Sequence, residues 1–578
     1  MDSGDSKENN CITIVQSSRD GVSNAIVIDD LYKQIQRHDY EKYYKYFIFN
    51  SFESETFLPL FDILWPHLIY SPKGGLIESL LLFEELDKEM DDKSPESVVI
   101  KKLDRRSYVV LKDVLNKYEI TIKNERSPPS RRSNSEILGR DVIPAIIFVL
   151  KQGLRKLPPI NSSSFPKSSV QVFPFPNRFD SLSPVINNSE CDMDIISELS
   201  KVSTPNKDEV SDRSFDESDI YEFMDLSNYF DILRQIIFIF QLLPRLFLKS
   251  TLVSNISSRI REEEGFDVSN IVSESYIQAI KSNPRDICTG IVTGGLFRDK
   301  STKKVVVGGL APRDRSIIIQ ADRHNMDLYY IPHTVEIALE QLPPREASMF
   351  VSGSVAKRHI QNTYSASILP ELIPMGRPYL QEKYKNNDKN ITQISADDNL
   401  SILALTQMNS DSIRSEFIDE IIRGSKILDS YGEFNSVQVI IKLHPSESKD
   451  FYNNLLNTIE YSSIKVTIVE DSLYHYLYKS DFTITINSNA GLESMMLGTP
   501  CISINFNEPV TMTYPYVEYG NVPVLRCSSD VDTFFKDISS NTINDMAVEQ
   551  FNFVRENYIL EEDGGSNISS YICSEQES

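Results

Sequence analysis

Between residues 400 and 506 the sequence repeats one pattern: a short run of strand formers, then a longer amphipathic run. Strands read over "LSILALTQ" (400–407), "VQVIIKLHP" (437–445) and "IKVTIVE" (464–470), and helices over 415–432, 449–460 and 472–480. The stretch "TITINSNAGLESMMLGTPCISINF" (483–506) then reads as strand, helix and strand, with Gly498, Thr499 and Pro500 as the helix stop. The strand runs are apolar almost throughout, which marks strands covered on both faces. Such strands alternating with helices predict an α/β fold with a parallel sheet, since a parallel pair needs a crossover that is usually a helix. That pattern also limits where a ligand can sit, because such sheets bind ligands outside the carboxyl ends of their strands.

Two of these strand ends carry residues suited to a phosphate. The first is "IIKLHPSES", with Lys442 and His444; the second is "TITINSNAGLES", with Ser488, Asn489, Gly491 and Glu493. Small residues let a phosphate approach the backbone, and the helix beginning near Ala490 aims free N–H groups and a positive dipole end at it. His444 can donate a hydrogen bond, and protonation adds charge. Lys442, two positions earlier, shares its face of the strand. Together they predict a site for the phosphate of a leaving group. Each residue also has a plainer use: Ser488 suits any helix N-cap and Glu493 any first helical turn. On the phosphate reading, a larger residue at Gly491 blocks the ligand with little effect on stability.

The chain has 578 residues, so two or more domains are expected. Residues 1–154 read as the first part of an N-terminal Rossmann-like domain, with strands at 11–15 and 46–50, a helix at 76–90, and a helix then a strand over 108–124. Residues 155–218 are rich in Ser, Pro and Asp, and read as a disordered insertion that buries too little apolar area to offset its ordering entropy. Residues 219–375 read as the second part of that domain, on the acceptor side. They hold helices over 220–250, a short strand within 285–297, a helix at 314–325, a strand near 326–335, and a strand, loop and helix unit over 347–360. A nucleotide-donor domain is expected over 376–545, and a C-terminal helix and tail over 546–578.

The hydrophobic share is 40%, and the formal net charge is −24. That balance argues against a nucleic-acid partner, which asks for a basic surface. It occurs also in proteins adapted to high salt. The six cysteines show no CxxC pair, so neither a disulfide framework nor a zinc site is signalled, and a reducing cytoplasm fits. "IIFIFQLLPRLFL" (236–248) is too short to span a bilayer. It reads either as a buried helix or as a surface touching a membrane or a membrane-bound partner.

"KLHPSES" with "SNAGLESMMLGTPCISI" resembles the C-terminal half of GT-B-fold transferases for surface and capsule polysaccharides, a group related to the CDP-glycerol glycerophosphotransferases and to sialyl and Kdo transferases with a His-Pro motif. "YIPHTV", "MGRP" and "ILEEDGGSNISSYI" are similar to further segments of that group. The resemblance covers 285–572 and is weak before it. It implies two Rossmann-like domains facing across a cleft. It also implies donor-phosphate contacts from His444 and Ser488, a ribose or base contact from Glu493, and a catalytic histidine, His333, at a strand end. "PHTV" departs from the family pattern in lacking a glycine after that histidine.

The implied activity is a glycosyltransferase that moves a sugar from a CMP-, CDP- or UDP-linked donor to a glycan or lipid-linked acceptor of a surface polysaccharide. A CDP-glycerol or ribitol-type polyol phosphotransferase, a UDP-sugar epimerase and a non-catalytic scaffold of the same fold remain alternatives. No cofactor or metal is expected. The expected place is the cytoplasm, with peripheral attachment at the inner face of the membrane or to an assembly complex as a further reading.

Overall fold

The computed structural model describes residues 11–15, 25–27, 31, 76–125, 168–173, 182–197, 220–222, 257–273, 292–297, 302–332, 347–386, 391–407, 411–459, 464–506 and 514–574, with a few single residues and pairs inside these stretches left out. The chain divides into two compact units: Met1–Asn177 with Asp192–Leu328, and Arg178–Cys191 with Tyr329–Ser578. The α/β class read from the sequence is the class observed, and the strand pairs whose register is defined all run parallel.

The first unit opens with strands β1 (Cys11–Val15), β2 (Ala25–Val27), β3 (Ser97–Lys101) and β4 (Thr121–Glu125), in the order β2-β1-β3-β4. Helices α1 (Leu76–Lys93) and α2 (Arg105–Tyr118) pack on each other. Leu82, Phe83, Leu86 and Met90 of α1 are buried, as are Val110, Leu111, Val114 and Leu115 of α2. Both sets follow the helical repeat that puts one apolar stripe on one face. Asp113 of α2 accepts from Asn270 Nδ2 (2.6 Å) and from the Ile271 N–H (3.2 Å). Burial nevertheless pushes its carboxyl up to about 6.

The segment 155–218 is a correction to the sequence reading. It contains β5 (Val170–Phe173), helix α3 (Ser183–Asn187) and β6 (Met193–Ser197), and all four residues of β5 are buried. "VQVF" and "MDIIS" are strand-forming islands within a polar surround, and averaging the composition over the segment hides them. The other residues of the segment lie largely outside the described ones. β7 (Ile220–Glu222) is a strand where the sequence reads helix. It completes the run β8-β5-β6-β7 with β8 (Lys304–Val307), which is followed by α4 (Pro312–Arg323). Val292–Gly294 and Leu296 are helical, where a strand is expected. The stretches at 46–50 and 236–248 lie outside the described residues. Among the described residues no helix is long and apolar enough to cross a membrane.

The second unit takes up the chain at β9 (Asp327–Tyr330), which straddles the boundary. β10 (Ser348–Val351) lies between β9 and β11 (Glu371–Pro374), with α5 (Ser354–Thr363) between β10 and β11 in the chain and α6 (Pro378–Asn386) after β11. A six-stranded sheet follows, built of β12 (Asn399–Leu405), β13 (Ser436–Lys442), β14 (Lys465–Val469), β15 (Phe482–Thr485), β16 (Cys501–Ile504) and β17 (Val524–Leu525). Its order is β14-β13-β12-β15-β16-β17. Numbered from its own first strand, that is 3-2-1-4-5-6, the Rossmann order, which reverses between the first and fourth strands. The connecting helices are α7 (Asp411–Tyr431), α8 (Lys449–Leu456), α9 (Leu473–Leu477), α10 (Asn489–Leu497) and α11 (Pro515–Tyr519), and α12 (Ser528–Asp537) follows β17.

The apolar strand runs now have their cause. Leu400, Ile402 and Ala404 of β12 join Val437, Val439 and Ile441 of β13 in a core with Ile418, Ile421 and Ile422 of α7. Leu403, Leu405 and Ile440 point the other way, into a second core with Leu492, Met495 and Met496 of α10. Each face takes about half of β12 and of β13, so both halves of these strands are mostly apolar.

The chain ends in α13 (Ser540–Asn557) and α14 (Gly564–Ser574). Helix α14 packs on α3, with Gly565 against the Pro184 carbonyl and the Tyr571 ring edge-on to Tyr329 and Phe350. This packing places residues 178–191 in the second unit. Cys191 and Cys573 form a disulfide across a separation of 382 residues, with Cα atoms 5.8 Å apart. The sequence reading expects no such bond, and spacing along the chain could not show a pair brought together only by the fold. The disulfide also removes the basis for reading a reducing compartment from cysteine spacing.

Candidate functional site

Lys442, Leu405 and Thr485 sit side by side across β13, β12 and β15. The residues just beyond them leave the sheet together at its carboxyl edge, on both sides of the point where the strand order reverses. His444 follows β13, Thr406 and Gln407 follow β12, and Asn487 and Ser488 follow β15. The order of the strands thus brings His444 and the Ser488 turn to one edge, although 44 positions separate them in sequence.

The exit of β13 is a turn in which the His444 carbonyl accepts from the Glu447 N–H (2.9 Å). Pro445 stands at its second position, where a fixed φ favours a turn. The Glu447 side chain folds back beneath it and is 1% exposed. Its Oε2 accepts from the Thr406 hydroxyl and from the His444 N–H (3.1 Å). Its Oε1 accepts from Tyr452 Oη (2.8 Å) and faces Arg414 Nη1 at 3.5 Å. The Thr406 Oγ1 lies within reach of both the Lys442 carbonyl and Glu447. A hydroxyl has one proton, and the carboxylate is the stronger acceptor. The same oxygen accepts from the His444 N–H (3.1 Å). Arg414 also stacks over the Phe451 ring at 4.1 Å. Burial, then Glu447, raises the Tyr452 phenol above its ordinary range. The His444 residue itself is half-buried.

The exit of β15 is built differently. Ser488 is extended (φ −134°, ψ 144°) and its hydroxyl accepts from the Ala490 N–H at 3.3 Å, so it caps α10. Its carbonyl accepts from Tyr516 Oη (2.5 Å) and from the Gly491 N–H (3.0 Å). The Asn487 N–H donates to Gln407 Oε1 (3.1 Å), which ties this turn to β12 as Thr406 ties the other. Every residue of α10 from Gly491 to Leu497 is buried, and Gly498 closes it in the left-handed region (φ 94°). Asn489 is half-buried at its first position. A cavity of about 10 Å³, room for about one water, opens at the exits of β15, β16 and β17 near Asn487, Ser503 and Arg526.

Three expected residues have settings the sequence does not show. A Cβ on Gly491 would lie 2.5 Å from Tyr516 Oη and 2.9 Å from Cys501 Sγ. Its small size is demanded by packing, so the expectation that it can be enlarged without loss of stability does not hold. Burial pushes the Cys501 thiol up to about 12, so it packs as an apolar group. Lys442 is 8% exposed, and its Nζ donates to the carbonyls of Leu443 (2.8 Å) and Glu470 (3.3 Å). Burial lowers its pKa, against the pull of Asp471 and Glu470. Glu493 is 6% exposed and its Oε2 accepts from Tyr474 Oη at 2.5 Å, within a group that includes Lys383 over the Tyr474 ring at 5.3 Å. His333 lies outside the described residues.

The residues that organise the site, Thr406, Gln407, Arg414, Glu447 and Tyr516, are absent from the sequence reading. Glu447 carries a local signal, since a carboxylate three positions after His-Pro can turn back on the turn that Pro445 starts. Arg414 and Tyr516 reach the site only through the sheet order, and no local pattern marks them. Among the described residues no group of His, Cys, Asp or Glu has the arrangement of a metal site.

No family model matches the chain. No curated protein matches it by sequence. Among solved structures it is similar to the UDP-GlcNAc 2-epimerase of Methanocaldococcus jannaschii, at 13% identity over 70% of this chain and 99% of that one, with a TM-score of 0.39. It is similar also to the UDP-GlcNAc 2-epimerase of Neisseria meningitidis bound to UDP-GlcNAc (12%, 70% and 98%, 0.37) and to MurG of Acinetobacter baumannii (8%, 70% and 99%, 0.38). Likeness of this degree does not tell one activity from another.

Proposed function

We propose that the chain is a glycosyltransferase that takes a sugar from a nucleotide-activated donor and holds the donor's phosphate at the carboxyl edge of the six-stranded sheet. One observation carries the reading: the His444 turn and the Ser488-capped start of α10 flank the reversal point of a 3-2-1-4-5-6 sheet, each tied to the exit of β12. That is where folds of this order bind nucleotides. The family resemblance over 285–572 supports the same reading, with residues 376–545 as the donor domain and 219–375 on the acceptor side.

In the transfer, the acceptor oxygen bonds to the anomeric carbon while the bond from that carbon to the donor phosphate breaks. The electron pair goes to the phosphate, and the acceptor proton goes to a base, for which His333 is the residue the resemblance offers. The charge that grows on the phosphate is met by His444 and by the positive dipole end of α10, whose Ala490 and Gly491 N–H groups are already held by Ser488. Lys442 spends two of its donors on carbonyls, so it acts on the edge through its charge rather than as a direct ligand. The donor is CMP-, CDP- or UDP-linked, and the acceptor is a glycan or lipid-linked hydroxyl of a surface polysaccharide. No resident metal or cofactor enters this scheme.

Calorimetric titration of CMP, CDP and UDP into the intact chain tests the reading. At least one should bind, and a donor screen with intact-mass detection should then find the transferred sugar. Failure of all three nucleotides to bind would sink it.

A further inference from the structure

We propose that Glu447 is the positioning residue of this site and acts through His444. Four donors converge on its two oxygens: the Thr406 hydroxyl and His444 N–H on one, the Tyr452 hydroxyl and Arg414 on the other. An ionised carboxylate offers about four lone-pair positions, so this carboxylate satisfies all four at once. Thr406 leaves from β12, Arg414 lies on α7, Tyr452 on α8 and His444 at the exit of β13. A single buried side chain therefore joins the strand at the sheet's reversal point to the turn that carries the histidine. The contact is to the His444 backbone, so Glu447 fixes where the imidazole starts.

A buried ion pair can also be mere structure, weak in its net contribution and costly only when broken. The two roles part in one respect. A merely structural Glu447 lowers stability and leaves nucleotide affinity alone, or lowers affinity independently of the histidine. A positioning Glu447 lowers affinity only while His444 is present.

The inference rests on the phosphate reading of the site, and the experiment separates the two. CMP, CDP and UDP are titrated into the wild type, Glu447→Gln, His444→Ala and the double variant. The amide keeps the shape but is neutral and presents one acceptor oxygen where four donors converge. Glu447→Gln should weaken binding about fivefold, the difference between a charged and a neutral acceptor. The double variant should bind no more weakly than His444→Ala alone. Unchanged affinity in Glu447→Gln, or a full extra fivefold loss in the double variant, overturns the inference and leaves the phosphate site standing. Unchanged affinity in His444→Ala, or a wild type that binds none of the three nucleotides, removes the site and this inference with it. If Glu447→Gln does not fold, Thr406→Val takes its place in the same cycle, because it removes the hydroxyl shared by Glu447 and the His444 N–H.

Discussion

The turn after β13 and the turn after β15 both reach back to β12, yet one is held by a buried carboxylate and the other by close packing. Around Glu447 the contacts are polar and directional, and Arg414 and Tyr452 close them from two helices. Around Ser488 a phenol, a thiol and a glycine are pressed together, and the hydrogen bonds are local to the turn apart from those of Tyr516 to Ser488 and of Asn487 to Gln407. A turn held by charge can be retuned by an atom with little change of volume. A turn held by shape resists any change of size. The same edge of one sheet thus offers a half that affinity can report and a half that stability will report.

The sharpest way to break this contrast is Gly491→Val. Both atoms nearest the new Cβ lie under 3.0 Å away, one on the buried Tyr516 ring and one on buried Cys501. Overpacking of this kind costs about 3 kcal/mol, the upper part of the usual range. Thermal and denaturant unfolding should show a clear loss, and an unchanged melting temperature would mean that α10 shifts freely. His444→Ala is the counterpart on the charged side. It should weaken nucleotide binding by roughly 10- to 150-fold, from about 1.5–3 kcal/mol for a hydrogen bond to a charged group, with the melting temperature almost unmoved. Loss of stability with affinity intact would reverse the assignment of the two halves.

Ser488→Ala sharpens the comparison at smaller scale. Loss of the N-cap should cost about 1 kcal/mol of stability, because the Ala490 N–H loses its acceptor. A loss of affinity well beyond that stability cost would show the hydroxyl itself on the ligand. The mildest test is at the opposite end of the same strands. Asp481, before β15, accepts from the Ser401 N–H of β12 (2.7 Å), and burial pushes its carboxyl up to about 6. Its folded pKa lies above the ordinary 3.8, so its contribution is fully present below 3.8 and is lost as pH rises through about 6. Asp481→Asn should flatten the fall in melting temperature over that window. Asp113 has a raised carboxyl of the same sign, so the slope should shrink rather than vanish.

The six-stranded sheet was legible in the sequence because burial on both faces leaves a largely apolar record in β12, β13, β15 and β16, while the more exposed edge strand β14 keeps strand-forming residues. His444 and Ser488 were legible because turn and cap residues are local. β5 and β6 were not, since three apolar residues in each, inside a Ser- and Pro-rich segment, vanish in an average. Glu447, Arg414 and Tyr516 were missed for another reason. Their partners lie on other elements, and only the strand order brings them together. Gly491 was expected to be small so that a phosphate could approach, whereas the constraint the structure shows is packing against Tyr516, 25 positions away.

The Cys191–Cys573 bond makes a ring of the chain between those residues, and the whole six-stranded sheet lies on it. A ring cut once is still one molecule. A protease that opens any single loop between β12 and α13 therefore leaves both pieces covalently joined, and only a reductant or a second cut can part them. The second unit can be nicked without being divided.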